Sequence, residues 1–130
     1  FISVKDHDKK VIEGLAKDLL DMGYTIVATS GTATHLQDKG LEIERALKVR
    51  EGRPNIADHI KSGKVDLIIN TTEGAKAIAD SFDIRRGALD SSVPYFTTAN
   101  GARAMVEALK AKREGLLEVE PLQAYFKTSF

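Results

Sequence analysis

Four consecutive residues, Thr29-Ser30-Gly31-Thr32, have the types and spacing to hold an anion. The apolar run Tyr24-Thr25-Ile26-Val27-Ala28 leads into them, and a helical pattern through Ala33, Leu36 and Gln37 follows. Gly31 lets the backbone approach an anion closely, and the hydroxyls of Thr29, Ser30 and Thr32 can donate hydrogen bonds. The unpaired N–H groups of a helix start point the same way. Helix-end electrostatics contribute only about 0.3–1 kcal/mol, or about 2 kcal/mol where partly buried, so such a cradle needs cations from elsewhere in the chain. The same four residues would also suit a polar strand-to-helix turn with a Thr cap. Further polar clusters follow other apolar runs: Asn70-Thr71-Thr72 after Val65–Ile69, and Thr97 after Tyr95.

Other groups capable of chemistry are scattered. His7 lies between Asp6 and Asp8, but neighbours on one turn point in different directions and no further metal ligand is implied. His35 and His59 are isolated and read as surface or satisfied helix residues. Lys110-Ala111-Lys112-Arg113 falls at a helix C-terminus, where cations favour the helix dipole. Arg85-Arg86 reads as a solvated helix face, with an acidic partner as the alternative. No nucleophile, general base and orienting acid come together in one short stretch.

The elements that must position these residues alternate between strand and helix. Phe1–Val4 reads as a strand, Lys5–Asp8 as a polar turn, and Val11, Ile12, Leu15, Ala16, Leu19 and Leu20 as one helical stripe ended by Gly23. After the second strand and the cradle, a short helix closes at Gly40. Leu41, Ile43, Leu47 and Val49 share the alternation of a strand or extended arm. Pro54 is placed to open a helix through Ile56 and Ile60. Val65–Ile69 reads as a buried parallel strand, followed by helices near 75–79 and 82–89 and a short strand at 94–97. Asn100 is a candidate cap for a last helix carrying Ala102, Met105, Val106 and Leu109, which runs to Gly115. The tail from Leu116 to Phe126 is amphipathic and fits no single element. Five alternations with short connections predict an open parallel sheet covered on both faces, with ligands at the carboxyl ends of its strands. The three polar clusters would then line one edge, within reach of Lys9 and Lys48.

Composition narrows the function. With 130 residues and 42% hydrophobic content, the chain suits one domain with a core of its own. Lys plus Arg and Asp plus Glu both number 19, so no global field favours nucleic acid or an anionic membrane, and an anion site must be local. The absence of cysteine excludes disulfides and thiolate chemistry. No apolar run approaches the roughly 20 residues of a membrane span, and no signal-peptide pattern is seen, so a soluble intracellular protein is expected. The chain opens on Phe1, inside an apolar run, as a piece of a longer polypeptide or a trimmed one would.

Taken together, ATSGTA, KVREGRPNI, DHIKSGKVDLIINTT and the PYFTT that follows RRGAL resemble the methylglyoxal synthase-like domain family. Within it, the chain is most similar to the carboxyl-terminal regulatory domain of the carbamoyl phosphate synthetase large subunit, over nearly its whole length. The resemblance implies a three-layer α/β/α fold on a five-stranded parallel sheet, with residues 1–130 forming one regulatory domain of a larger chain. That domain does no chemistry and has no cofactor of its own; it binds effectors, in bacterial members UMP as inhibitor and IMP as activator. The parent implied is a cytoplasmic ligase using ATP and Mg or Mn, serving pyrimidine and arginine synthesis. Its implied partners are the rest of the large subunit and a glutaminase small subunit, with self-association left open.

Carried over by residue, the phosphate would meet Lys9, Thr29, Gly31, Thr32 and Lys48, with Ser3 nearby. Asn70, Thr71, Thr72 and Asp80 would face the ribose and base. Tyr95 and Thr97 match positions of ornithine contact with the catalytic body, and with Thr98 they mark the face expected to report. Ser30 stands where the family commonly has His, a departure that bears on base or ribose contacts and leaves the cradle intact. Methylglyoxal synthase itself shares the fold and cradle, but its catalytic Asp falls at Arg53 and its catalytic His at Asp80. A guanidinium cannot act as the carboxylate base that proton abstraction beside a carbonyl requires. A stand-alone nucleotide sensor is the third reading.

Overall fold

Short β-branched and apolar runs bounded by polar residues form the strands, and stripes at helical spacing form the helices that cover them. In the computed structural model, which describes residues 1–47 and 52–115, the order is β1 (Ile2–Ser3), a 3-10 turn (Asp6–Asp8), α1 (Lys9–Asp21), β2 (Val27–Ala28), α2 (Ser30–Asp38) and β3 (Glu44–Arg45). There follow α3 (Ile56–Lys61), β4 (Ile68–Asn70), α4 (Ala75–Asp80), α5 (Phe82–Asp90), β5 (Tyr95–Phe96) and α6 (Ala99–Arg113). The five strands form one parallel sheet in the order β3-β2-β1-β4-β5.

Helices cover both faces, as the alternation of elements predicts. On one face Ile12, Leu15 and Leu19 of α1, Leu36 of α2 and Val106 of α6 pack with Ile2, Ala28 and Ile69 from the sheet. On the other, Ile56 and Ile60 of α3 and Ile84 and Ala88 of α5 pack with Phe1 and Ile68. Consecutive residues Ile68 and Ile69 therefore serve opposite cores, the period-2 consequence of a strand buried on both sides.

The chain walks outward from β1 through β2 to β3, then returns to place β4 on the other side of β1. That reversal puts the carboxyl ends of β1 and β4 at a topological switch point, with Ser3 and Asn70 in register. The helices leaving these two strands go to opposite faces, and a crevice opens between them.

Four local expectations change. The residues Ser30-Gly31-Thr32 are the first turn of α2 rather than a loop, with extended Thr29 as the cap position. Asn55, not Pro54, starts α3: its side chain accepts the N–H groups of Ala57 and Asp58, and the Asp58 carboxylate accepts the Asn55 N–H, a reciprocal capping box. Likewise Thr98, not Asn100, caps α6 by accepting the Gly101 N–H at 3.0 Å. In the arm before residue 48, Ile43 and Ala46 are buried while Leu47 is exposed, so the alternation seen in sequence does not set its inner face.

Candidate functional site

β1 and β4 bring their last residues side by side, and the site grows from that edge. Ser3 Oγ and Thr29 Oγ1 share a hydrogen bond of 2.9 Å, which joins the ends of β1 and β2. Thr29 is 5% exposed and makes no side-chain cap bond to α2, so its hydroxyl serves the strand edge. The N–H groups of the first turn of α2 lack intrahelical acceptors by geometry and open toward the same space.

Two buried threonines hold the turn that follows β1. The Val4 N–H donates to Thr32 Oγ1 at 3.1 Å, and the Lys5 N–H donates to Thr71 Oγ1 at 3.0 Å. Both hydroxyls are thus engaged by backbone. Thr32 also lines the crevice, while its hydroxyl holds Val4, just past the end of β1. Because buried backbone donors must be satisfied, these bonds fix the direction in which Lys5, Asp6 and Lys9 leave the strand.

Lys9 opens α1, and its ammonium lies over the start of α2: a methyl group built on Gly31 would stand 3.4 Å from Lys9 Nζ. Asp6 pairs with Lys9 across one turn, and that hydrogen bond, followed by the lysine charge, holds the Asp6 carboxyl below the usual carboxylate range.

These residues line a cleft of about 610 Å³. On its β1–α2 side stand Ser3, Lys9, Thr29, Gly31 and Thr32; on its β4–α4 side stand Asn70, Thr71, Thr72 and Asp80. The cleft therefore gathers every described residue that the sequence assigns to phosphate, ribose or base. Lys48 lies outside the described residues. Lys5, Asp6, Glu73, Lys76 and Ser81 also line it and were not assigned from sequence. Lys76 and Asp80 sit four apart on α4, a helical neighbour relation readable once that helix is recognised.

Asn70, 3% exposed, donates its side-chain N–H to Tyr95 Oη at 2.7 Å. The residue expected to read the ligand thus touches the residue expected to report. The Arg85 guanidinium lies 5.6 Å from the centre of the Tyr95 ring, in cation–π range. Thr97 is exposed just beyond β5, and the Thr98 hydroxyl is used in capping α6.

Some of the scattered groups have structural partners. His35 Nε2 meets Glu13 Oε2 at 2.6 Å, joining α2 to α1. Arg113 donates to the Met22 carbonyl at 2.7 Å and Lys110 approaches Asp18 at 3.5 Å, tying the end of α6 to α1. Arg53 donates to Asp58 at 2.7 Å. Among the described residues no group of three or more His, Cys, Asp or Glu gathers to hold a metal ion, and no helix is long and apolar enough to cross a membrane.

Residues 11–97 match the family model described as MGS-like domain. The carbamoyl phosphate synthase large chain of Myxococcus xanthus (strain DK1622) is 54% identical over 125 residues, covering 96% of this chain and 12% of that one. Its counterpart in Mesorhizobium japonicum is 48% identical over 126 residues, covering 97% of this chain and 11% of that one. The chain thus spans about an eighth or less of the length of these relatives. Among solved structures, methylglyoxal synthase from Elizabethkingia anophelis NUHP1 superposes with a TM-score of 0.61 at 15% identity, covering 99% of this chain and 91% of that one. ForH superposes with a TM-score of 0.62 at 20% identity, covering 89% and 79%. At these identities the two structures speak for the fold.

Proposed function

We propose, from the premise that this chain belongs to the MGS-like domain family and is a counterpart of a region of the carbamoyl phosphate synthase large chain, that it is the effector-binding domain of such an enzyme. Its ligand is a nucleoside monophosphate of the UMP or IMP class. The phosphate sits over the start of α2 against Lys9, Thr29 and Gly31, with Lys48 as a second cation, and the ribose and base extend toward Thr72 and Asp80. A phosphomonoester carries nearly two charges and three acceptor oxygens at neutral pH, which suits backbone donors, a hydroxyl and two ammonium groups.

The observation that carries the reading is the cleft at the β1–β4 switch point, where residues from three separate stretches of the chain converge. The hydrogen bond from Asn70 to Tyr95 supports a route from that cleft toward Tyr95 and Thr97, where the domain would meet the catalytic body. An effector changes a distant rate only by binding two states of the whole enzyme with different affinity, typically a coupling of about 1–3 kcal/mol. On this reading the parent is a cytoplasmic ligase. It uses ATP with Mg or Mn outside this domain, works with a glutaminase subunit, and supplies the pyrimidine and arginine pathways.

Calorimetry with UMP and IMP tests the assignment. Charge-assisted hydrogen bonds contribute about 1.5–3 kcal/mol, so Lys9→Ala or Lys48→Ala should each weaken binding about tenfold or more. Unchanged affinity in both variants would remove the cleft from consideration. The lyase alternative is checked by turnover of dihydroxyacetone phosphate, and none is expected. Arg53 stands where that chemistry needs a carboxylate, and its guanidinium is committed to Asp58.

A further inference from the structure

We propose that Asp6 is an internal competitor for the anion seat, a residue that holds down the cleft's affinity for phosphate by occupying Lys9. The inference rests on the reading of the cleft as a phosphomonoester site.

Asp6 and Lys9 lie three residues apart, across the junction of the 3-10 turn and α1, and both line the cleft. The turn that carries Asp6 is pinned from two sides by the bonds from Val4 N–H to Thr32 and from Lys5 N–H to Thr71. The carboxylate is therefore presented at the cleft by a fixed backbone. Burial separates the two partners: the Lys9 side chain is 19% exposed and the Asp6 side chain 94%. The surrounding protein holds Lys9 in place over α2, whereas Asp6 contributes little packing and acts through its charge.

Asp6 takes a hydrogen bond from the ammonium that a phosphate would need. A phosphate arriving at Lys9 must share or displace that carboxylate, and either way two anions come close in a mostly aqueous setting. Coulomb repulsion at such separations is modest, is larger for a dianion than for a monoanion, and falls with added salt. A residue that merely oriented Lys9 would have the opposite effect, since its loss would weaken binding.

Calorimetric titration of wild type, Asp6→Asn and Lys9→Ala with UMP, at about 0.02 M and about 0.3 M salt, decides the matter. Asp6→Asn should bind roughly threefold to tenfold more tightly at low salt, with the gain shrinking at high salt. A thermal melt close to wild type is expected, given the exposure of Asp6. Weaker binding by Asp6→Asn, or equal binding at both salt levels, would overturn the proposal while leaving the phosphate site standing. Absence of UMP binding in wild type and Asp6→Asn alike, or Lys9→Ala binding as wild type does, would instead overturn the reading on which it rests.

Discussion

Two of the helices that border the cleft, α2 and α4, are held very differently. α2 buries Thr32, Ala33 and Leu36, receives β1 through the Thr32 hydroxyl, and lies beneath the Lys9 ammonium. α4 buries none of its residues, starts after Gly74 at φ 90° without a side-chain cap bond, and leaves Ile78 56% exposed. Few buried apolar contacts mean a low local cost of opening. The contrast assigns different tasks to the two sides. On the proposed reading, the α2 side would offer an anion a prearranged set of donors, which saves ordering cost on binding. On the same reading, the α4 side would adjust to whatever a ligand carries beyond its phosphate.

The sharpest test of that contrast is stability. Leu36 on α2 is fully buried, so Leu36→Ala should cost about 2–5 kcal/mol in urea denaturation. Ile78→Ala on α4 should stay within about 0.5 kcal/mol, as exposed substitutions do. Similar losses at both sites would erase the difference between the helices. A smaller effect is expected from the clamps. Thr32→Val leaves the buried Val4 N–H without its acceptor and should cost about 1–3 kcal/mol. The half-buried Thr72 has no such backbone duty among the described bonds, and Thr72→Val should be nearly neutral in the same measurement.

Smaller again is Gly31→Ala, which separates binding from folding. Alanine favours a helix by up to about 1 kcal/mol over glycine, so the melting temperature should hold or rise. The added methyl stands against Lys9 at the anion seat, so UMP affinity measured by calorimetry should fall several-fold. A rise in both would show that the seat lies elsewhere. The smallest effect concerns acid. Asp6 has a folded pKa below its unfolded value of about 3.9, so its contribution is full above that value and is lost as pH falls through the folded one. Asp6→Asn should therefore lose stability less steeply than wild type below about pH 4. The remaining slope should include Asp58, whose carboxyl is lowered by the Asn55 N–H and then by Arg53.

The sequence by itself determined the order of strands and helices, the parallel two-sided sheet and most of the cleft's membership. These rest on patterns written by covalent neighbours: a stripe such as Ile12, Leu15 and Leu19 makes a helix face, and the apolar run Val65–Ile69 leads into the buried strand, which begins only at Ile68. Helix starts were less legible, because Thr98 and Asn100, or Pro54 and Asn55, are all acceptable locally and only the closed turn selects one. Only the tertiary structure decided what the polar side chains do. Thr32 and Thr71 read as ligand hydroxyls, yet they bond backbone 28 and 66 residues away. Asn70 reaches Tyr95 across 25 residues. Asp6, set aside in sequence as part of an incomplete metal cluster, is the local exception: it pairs with Lys9 three residues on, a spacing the sequence does record. A hydroxyl or a carboxylate carries the same chemistry in any setting. Which group it meets depends on chain closure over tens of residues, and local spacing holds no record of that.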